Sequence, residues 1–273
     1  MKNKLTNHIK TKIGKFQVIH SPSRNFIWYK NAKTAGTSMY RGVILNEIDD
    51  VLAYKRNPKE FDEWWDKLTD EKINNCFTFT FVRNPFDRAL SAFSHIILEE
   101  VLQSHYDTGL PHKSGGRGLL NFDQVYMIFS LFINRILQTY DINKKSVHWM
   151  PQHFFVECEG ESIVDFVGRY EDLKIDWKYV ANKLQISEEL PFWPSSNTQK
   201  EVEGKGHGHI HGLGYSFGDP VTREQLQKLH WSRYYIDDKL INIVLEVYRK
   251  DIDIFGYDYV ERQLRPFLSN INK

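Results

Sequence analysis

Cysteine is scarce in this chain: Cys76 and Cys158 are the only two among 273 residues. One pair cannot staple a chain of this length, and no CxxC spacing is present, so neither a disulfide framework nor a cysteine-rich zinc site organises it. Both cysteines stand beside apolar residues with the character of strand segments, which predicts buried thiols. A charge bias is missing too. Lys plus Arg number 36 against 35 Asp plus Glu, a formal net charge of +1, so nothing global draws the chain to nucleic acid or membrane, and any anion site must be local. No run reaches the ~18 apolar residues of a membrane span. Met1 to Lys15 is polar and basic, without the apolar stretch of a secretion signal. These absences set the expectation of a soluble, cytoplasmic chain. Hydrophobic residues at 41% and aromatics at 14% suffice for one large globular domain over residues 1–273.

What is present gathers around the stretch from Phe26 to Ser38, FIWYKNAKTAGTS. Phe26 to Tyr29 are strand formers, and Met39, Val43, Ile44 and Ile48 then recur near the helical period. The small-residue loop between them therefore joins strand to helix. This places the N–H groups of Ala35, Gly36, Thr37 and Ser38 at a helix N-terminus, where free donors and the helix dipole attract anions. Gly36 is expected to let backbone approach a phosphate without a Cβ in the way, with Lys33 as a mobile point charge. The stretch reads as a phosphate cradle, although Lys33 precedes the glycine, unlike the GxxxxGK[ST] order of nucleotide hydrolases. An ordinary strand-turn-helix with a surface lysine is the plainer alternative.

A second unit of the same kind follows. Phe77 to Val82 alternates apolar and β-branched residues without a charge, as in a strand buried on both faces. It ends at Arg83-Asn-Pro85; Pro85 suits a first helical turn, and Phe86, Leu90, Phe93, Ile97 and Val101 continue at helical spacing. Elsewhere, weak strand character lies around Phe16 to Ile19, and further strands are predicted at Phe154 to Glu157 and Ile163 to Tyr170. Helical stripes run through Phe61, Trp64, Trp65 and Leu68, through Val125, Phe129, Phe132, Ile133 and Ile136, through Leu173, Trp177, Val180, Ala181 and Leu184, and through Leu240, Ile243, Val244, Val247 and Tyr248. Thr222 and Gln225 form a capping box ahead of the last of these. Strands alternating with helices predict an α/β fold whose central, mainly parallel sheet is flanked by helices. Residues 104–121 and 201–220 read as long loops, candidate lids.

The two loops, Lys33-Thr-Ala-Gly-Thr-Ser38 and Val82-Arg-Asn-Pro-Phe-Asp-Arg-Ala-Leu-Ser91, together resemble the sulfotransferases. The resemblance is nearest to the carbohydrate sulfotransferase branch, the family 2-like group in which a His-Trp-x-Pro-Gln block precedes a Gly-Arg/Lys-Tyr-Glu block. Here these are His148-Trp-Met-Pro-Gln152 and Gly168-Arg-Tyr-Glu171, with Phe255-Gly-Tyr257 in the tail also typical. The match runs from about residue 26 to residue 257, with only the short blocks specific. It implies a P-loop-like three-layer fold and a reaction, transfer of a sulfuryl group from 3′-phosphoadenosine 5′-phosphosulfate, that requires no metal. It also implies roles for residues. Lys33, Thr34, Ala35, Gly36, Thr37 and Ser38 would hold the 5′-phosphosulfate, with Lys33 catalytic; Arg83 and Ser91 would hold the 3′-phosphate. Tyr170 resembles a tyrosine on the adenine, with buried packing as its alternative, and Lys200 a phosphate contact on a mobile segment, with a solvated loop lysine as its alternative. Animal members of the branch are Golgi proteins with an N-terminal anchor and lumenal cysteines, which this chain lacks; a soluble form is the resulting expectation.

The general base is the least legible part. A hydroxyl acceptor needs one, and His148 is the first choice because its ordinary pKa suits proton transfer near neutrality. His148 as a structural residue of its loop is the competing reading. His95, His153 and the carboxylates Glu47, Glu60, Asp62, Glu63 and Asp66 are the other options. His207, His209 and His211 alternate on a glycine-rich loop, a weak scaffold for metal, and read as an acceptor-side loop. Trp64, Trp65, Trp149 and Trp193 are candidate sugar walls whose ordinary role is core. Two rivals stay open: a P-loop kinase-like phosphotransferase, which would need the Gly-Lys-Ser/Thr order, and a non-catalytic nucleotide- or glycan-binding module, which would tolerate loss of Lys33.

Overall fold

The computed structural model describes residues 3–97, 122–137, 147–190, 234–235, 237–258 and 260. The predicted lids at 104–121 and 201–220, the capping box, Trp193, Lys200 and the three-histidine loop all lie outside these residues. Packing divides the chain into two compact units, Met1–Asn84 with Pro151–Trp193, and Pro85–Met150 with Pro194–Lys273.

The first unit is built on a five-stranded sheet. Its strands are β1 (Val18–Ser21), β2 (Phe26–Tyr29), β3 (Leu52–Ala53), β4 (Phe77–Val82) and β7 (Phe166–Arg169), in the order β3-β1-β2-β4-β7. β2, β4 and β7 run parallel, and β1 and β3 extend the sheet antiparallel. The mainly parallel, helix-flanked sheet expected from the sequence is thus present, with its parallel part where the two loops leave. A small hairpin, β5 (Glu157–Cys158) with β6 (Glu161–Ser162), stands apart.

Alternation explains the packing. Phe26, Trp28, Phe79 and Phe81 share one core with Met39, Val43 and Ile44 from the helical segment after β2, and with Trp177, Val180, Ala181 and Leu184 from helix Leu173–Leu184. Trp28 and Phe79 stack at 5.7 Å. Ile27, Tyr29, Thr80 and Val82, of opposite side-chain parity, are buried as well, as a charge-free strand predicts. Thr80 donates its hydroxyl to the Tyr29 carbonyl at 2.7 Å, so its polarity is satisfied.

Gly168 of β7 exists for a steric reason. A Cβ there would overlap the Phe81 ring, on the strand paired with it through Phe81 and Gly168. Gly168→Ala is expected to destabilise the protein by about 1–3 kcal/mol through overpacking. Urea unfolding checks this; an unchanged midpoint would show that the ring moves aside.

One predicted strand is absent. Phe154 to Glu157 reads as apolar and extended, but Gln152–Phe155 is a short 3₁₀ turn and only Glu157–Cys158 pairs as a strand. Pro151, with φ −51°, leads into that turn. Both cysteines are free, Cys158 buried as expected and Cys76 only half-buried.

In the second unit, Pro85–Ala92 is the helix expected after Arg83 and continues as a wider π-turn over Phe93–Ile97. Phe122–Leu131 with Phe132–Leu137, Asp238–Val247 and Arg249–Phe255 supply its other described helical segments. Phe93, Phe129 and Tyr235 meet edge-on in its core, and the Tyr235 hydroxyl donates to the Phe86 carbonyl at 2.9 Å.

Candidate functional site

The strand ladder between β2 and β4 runs to Trp28 opposite Phe79 and stops there. Beyond it side-chain bonds link the two chains: the Thr80 hydroxyl reaches the Tyr29 carbonyl and Asn31 Nδ2 the Phe81 carbonyl. Loops leaving the carboxyl ends of parallel strands are where open α/β sheets bind ligands. Both loops singled out in the sequence leave at that end.

The first loop is wound in an unusual way. Lys33 has φ +71° and Ala35 φ +62°, while Thr34 and Gly36 between and after them stay out of the left-handed region. Alternating signs of φ turn successive N–H groups toward one concavity, the nest geometry that binds anions. Holding two non-glycine residues there costs roughly 1–3 kcal/mol each, a strain typical of functional sites. Thr34 is buried and donates its hydroxyl to the Asn31 carbonyl at 2.9 Å, bracing the bend. A helical segment then starts at Gly36 with Ala35 as its N-cap. It runs Gly36–Met39, widens to a π-turn over Tyr40–Ile44, and closes with Leu45–Glu47. Thr37 is exposed, whereas Lys33 and Ser38 are half-buried.

Gly36 has a neighbour that the sequence did not suggest. Its φ is not positive, and a Cβ there would crowd the Lys30 stem, 3.0 Å from Cε. The glycine makes room for a second lysine. That lysine was missed in the sequence. Burial, then the charges of Lys55 and Arg41, hold the Lys30 ammonium below its ordinary pKa, and Nζ lies 5.5 Å from the Tyr40 ring centroid.

The second loop is joined to the first. Arg83 is 4% exposed, and its Nη1 donates to the Lys33 carbonyl at 3.1 Å. Its guanidinium lies 4.1 Å from the centroid of the Tyr170 ring, a close cation–π contact. Tyr170 is therefore a support for Arg83, a role the sequence did not suggest. The rest of its block is also used: the Tyr170 N–H donates to the Val82 carbonyl at 2.8 Å, and Glu171 Oε1 accepts from the Asn84 N–H at 2.7 Å.

Gln152 closes the assembly. Its Oε1 accepts from the Arg83 N–H at 2.9 Å and from Asn31 Nδ2 at 3.0 Å, and its Nε2 donates to the Arg83 carbonyl at 2.7 Å. Asn31 Nδ2 also reaches the Phe81 carbonyl at 3.3 Å. Neither residue was singled out in the sequence as a site residue. Gln152 enters the sequence reading only as the last residue of the His-Trp-x-Pro-Gln block, which marks the residue but not its partners 69 and 121 positions away.

Ser91 and His148 belong to the second unit. Ser91 is buried on the helix Pro85–Ala92. The segment carrying His148 is held from both ends: Arg88, 1% exposed, donates to the carbonyls of Met150 at 2.8 Å and Val147 at 3.3 Å, and the Tyr248 hydroxyl donates to the Trp149 carbonyl at 2.6 Å. The rings of His95 and His148 lie 6.4 Å apart, so two of the base candidates are neighbours.

The other candidates have structural engagements or lie in solvent. Glu47 accepts from the Ser187 N–H at 2.8 Å, and Asp62 pairs with Lys15 at 3.2 Å. Glu60, Glu63 and Asp66 are exposed. The His153 ring packs at 4.2 Å on Phe154. Trp64 stacks on His20 at 4.6 Å and Trp65 on Phe61 at 5.6 Å, which makes both part of an aromatic cluster. No group of metal-ligating side chains occurs among the described residues.

Over 193 residues the chain is 25% identical to carbohydrate sulfotransferase 14 of Danio rerio, covering 68% of this chain and 45% of that protein, so it spans less than half the length of that relative. No solved structure matches. The likeness overturns the cytoplasmic expectation, because carbohydrate sulfotransferases are Golgi membrane-type enzymes. The polar, basic N-terminus was too little to assign a compartment; in structural terms, no helix among the described residues is long and apolar enough to cross a membrane. The model of the sulfotransferase family matches residues 16–258, a span that takes in both loops, Gln152 and Tyr170, and the chain belongs to that family.

Proposed function

We propose that this protein transfers a sulfuryl group from 3′-phosphoadenosine 5′-phosphosulfate to a hydroxyl or amine of a carbohydrate or another small polar acceptor. The observation that carries the reading is the direct joining of two cationic loops, Arg83 to the Lys33 carbonyl, at the carboxyl ends of adjacent parallel strands. A nest of N–H groups beside Lys33 and a buried guanidinium beside Tyr170 suit a ligand with two separated anionic groups. The donor supplies an activated sulfuryl group whose departure leaves negative charge on the bridging oxygen.

Each residue has a task on this reading. Lys33 and the N–H groups of Ala35, Gly36, Thr37 and Ser38 stabilise that charge as it develops. Arg83, with Ser91, holds the 3′-phosphate, and Lys200 adds a phosphate contact. His148 takes the acceptor proton, the rest of its segment being anchored by Arg88 and Tyr248. Charge compensation comes from protein groups, so this chemistry requires no metal. The carbohydrate acceptor is suggested by the matched relative's name. The parallel β2-β4-β7 sheet with its cradle after β2 supports a P-loop-like architecture.

The test is an acceptor screen with labelled donor and purified protein. Label appearing on a carbohydrate supports the reading; phosphate transfer from ATP in its place would overturn it. In the same assay, His148→Ala is expected to remove the near-neutral limb of the pH–rate profile, whereas Glu60→Ala leaves it. An unaltered profile in His148→Ala removes that residue as base.

A further inference from the structure

We infer that Gln152 is a positioning residue that sets the spacing of the two anion-binding loops. The inference rests on the donor reading above and deepens it. β2 and β4 lose their ladder after Trp28 and Phe79, so the backbone no longer fixes how far the Lys33 loop stands from Arg83. Gln152 bridges the two chains past that point. Its amide meets both the N–H and the carbonyl of Arg83, as a neighbouring strand would, and with its remaining acceptor capacity it takes Asn31, two residues before Lys33. Arg83 then returns to the Lys33 carbonyl. The contacts form a closed circuit: Lys33, Arg83, Gln152, Asn31 and back along the chain to Lys33.

Gln152 is itself held rigidly. It is fully buried, follows Pro151, and opens the 3₁₀ turn Gln152–Phe155, whose Phe154 carbonyl meets the His8 ring Nε2 at 2.8 Å. A glutamine can serve donor and acceptor at one backbone position; a carboxylate keeps only the acceptor, and leucine keeps neither. Supporting shells of this kind hold binding groups in register, and a misplacement of about 1 Å costs on the order of 10²-fold in a site that depends on geometry.

A spacing role differs from general support in which ligands it affects. 3′-Phosphoadenosine 5′-phosphate needs both loops at once, whereas 5′-AMP needs only the cradle. In Gln152→Glu, which keeps the volume, and in Gln152→Leu, affinity for the bisphosphate measured by calorimetry is expected to fall roughly tenfold or more, with affinity for 5′-AMP changed less than about threefold. Donor KM should rise while acceptor KM holds. Thermal melting identifies the folded variants, and Gln152→Glu carries the test if Gln152→Leu does not fold. Equal losses for both ligands would reduce Gln152 to a structural residue, and no loss for either would remove the role; both results overturn the inference. A wild-type protein that fails to prefer the bisphosphate overturns the donor reading itself, and is told apart because it needs no variant.

Discussion

Lys33→Ala is expected to lower turnover by about 10²-fold or more and to leave the fold in place. That factor corresponds to about 2.7 kcal/mol of lost transition-state stabilisation. Lys33 is half-buried, and its backbone carbonyl, not its ammonium, is what Arg83 binds. Truncation to alanine therefore removes the charge and keeps the circuit. The left-handed backbone at this position is as demanding for alanine as for lysine, and Ala35 shows that alanine adopts it in this loop. Steady-state turnover together with thermal melting checks the claim. Near-normal turnover would leave a binding module as the better reading.

Arg83→Ala should act mainly on binding. Its buried guanidinium meets both the Lys33 carbonyl and the Tyr170 ring, so on the proposed reading its loss removes a charged contact to the 3′-phosphate and leaves that carbonyl without its bond from Arg83. A hydrogen bond involving a charged group contributes about 1.5–3 kcal/mol, which translates to a loss of roughly 10- to 100-fold in affinity for 3′-phosphoadenosine 5′-phosphate. Arg83→Lys restores charge without the planar fork or the stack, and should recover only part of this. Calorimetry decides; unchanged affinity in Arg83→Ala would assign the arginine to structure alone.

Much of this site was legible because it is local. The run Phe26 to Tyr29, the charge-free strand Phe77 to Val82 and the proline-started helix after Arg83 each carry their signal within a few residues, and all three form as expected. What was not legible is what depends on distant partners. Gln152 bonds to Arg83 and Asn31 across long stretches of sequence, and Tyr170 finds Arg83 only once β4 and β7 pair. The backbone inside the first loop was not legible either: Lys33 and Ala35 take left-handed conformations and Gly36 packs against the Lys30 stem, because a supported loop can hold non-glycine residues in conformations that local propensity disfavours. The apolar run from Phe154 misled for a similar reason: Pro151 and the turn after it, not side-chain pattern, decide its backbone.

The most direct test of the donor site is a calorimetric titration of the unmodified protein with 3′-phosphoadenosine 5′-phosphate and, separately, with 5′-AMP. Two joined anion loops predict saturable binding of the bisphosphate at least roughly tenfold tighter than that of 5′-AMP, since the second phosphate gains a charged contact of about 1.5–3 kcal/mol. Equal affinity for the two nucleotides, or no binding of the bisphosphate at all, would contradict the account.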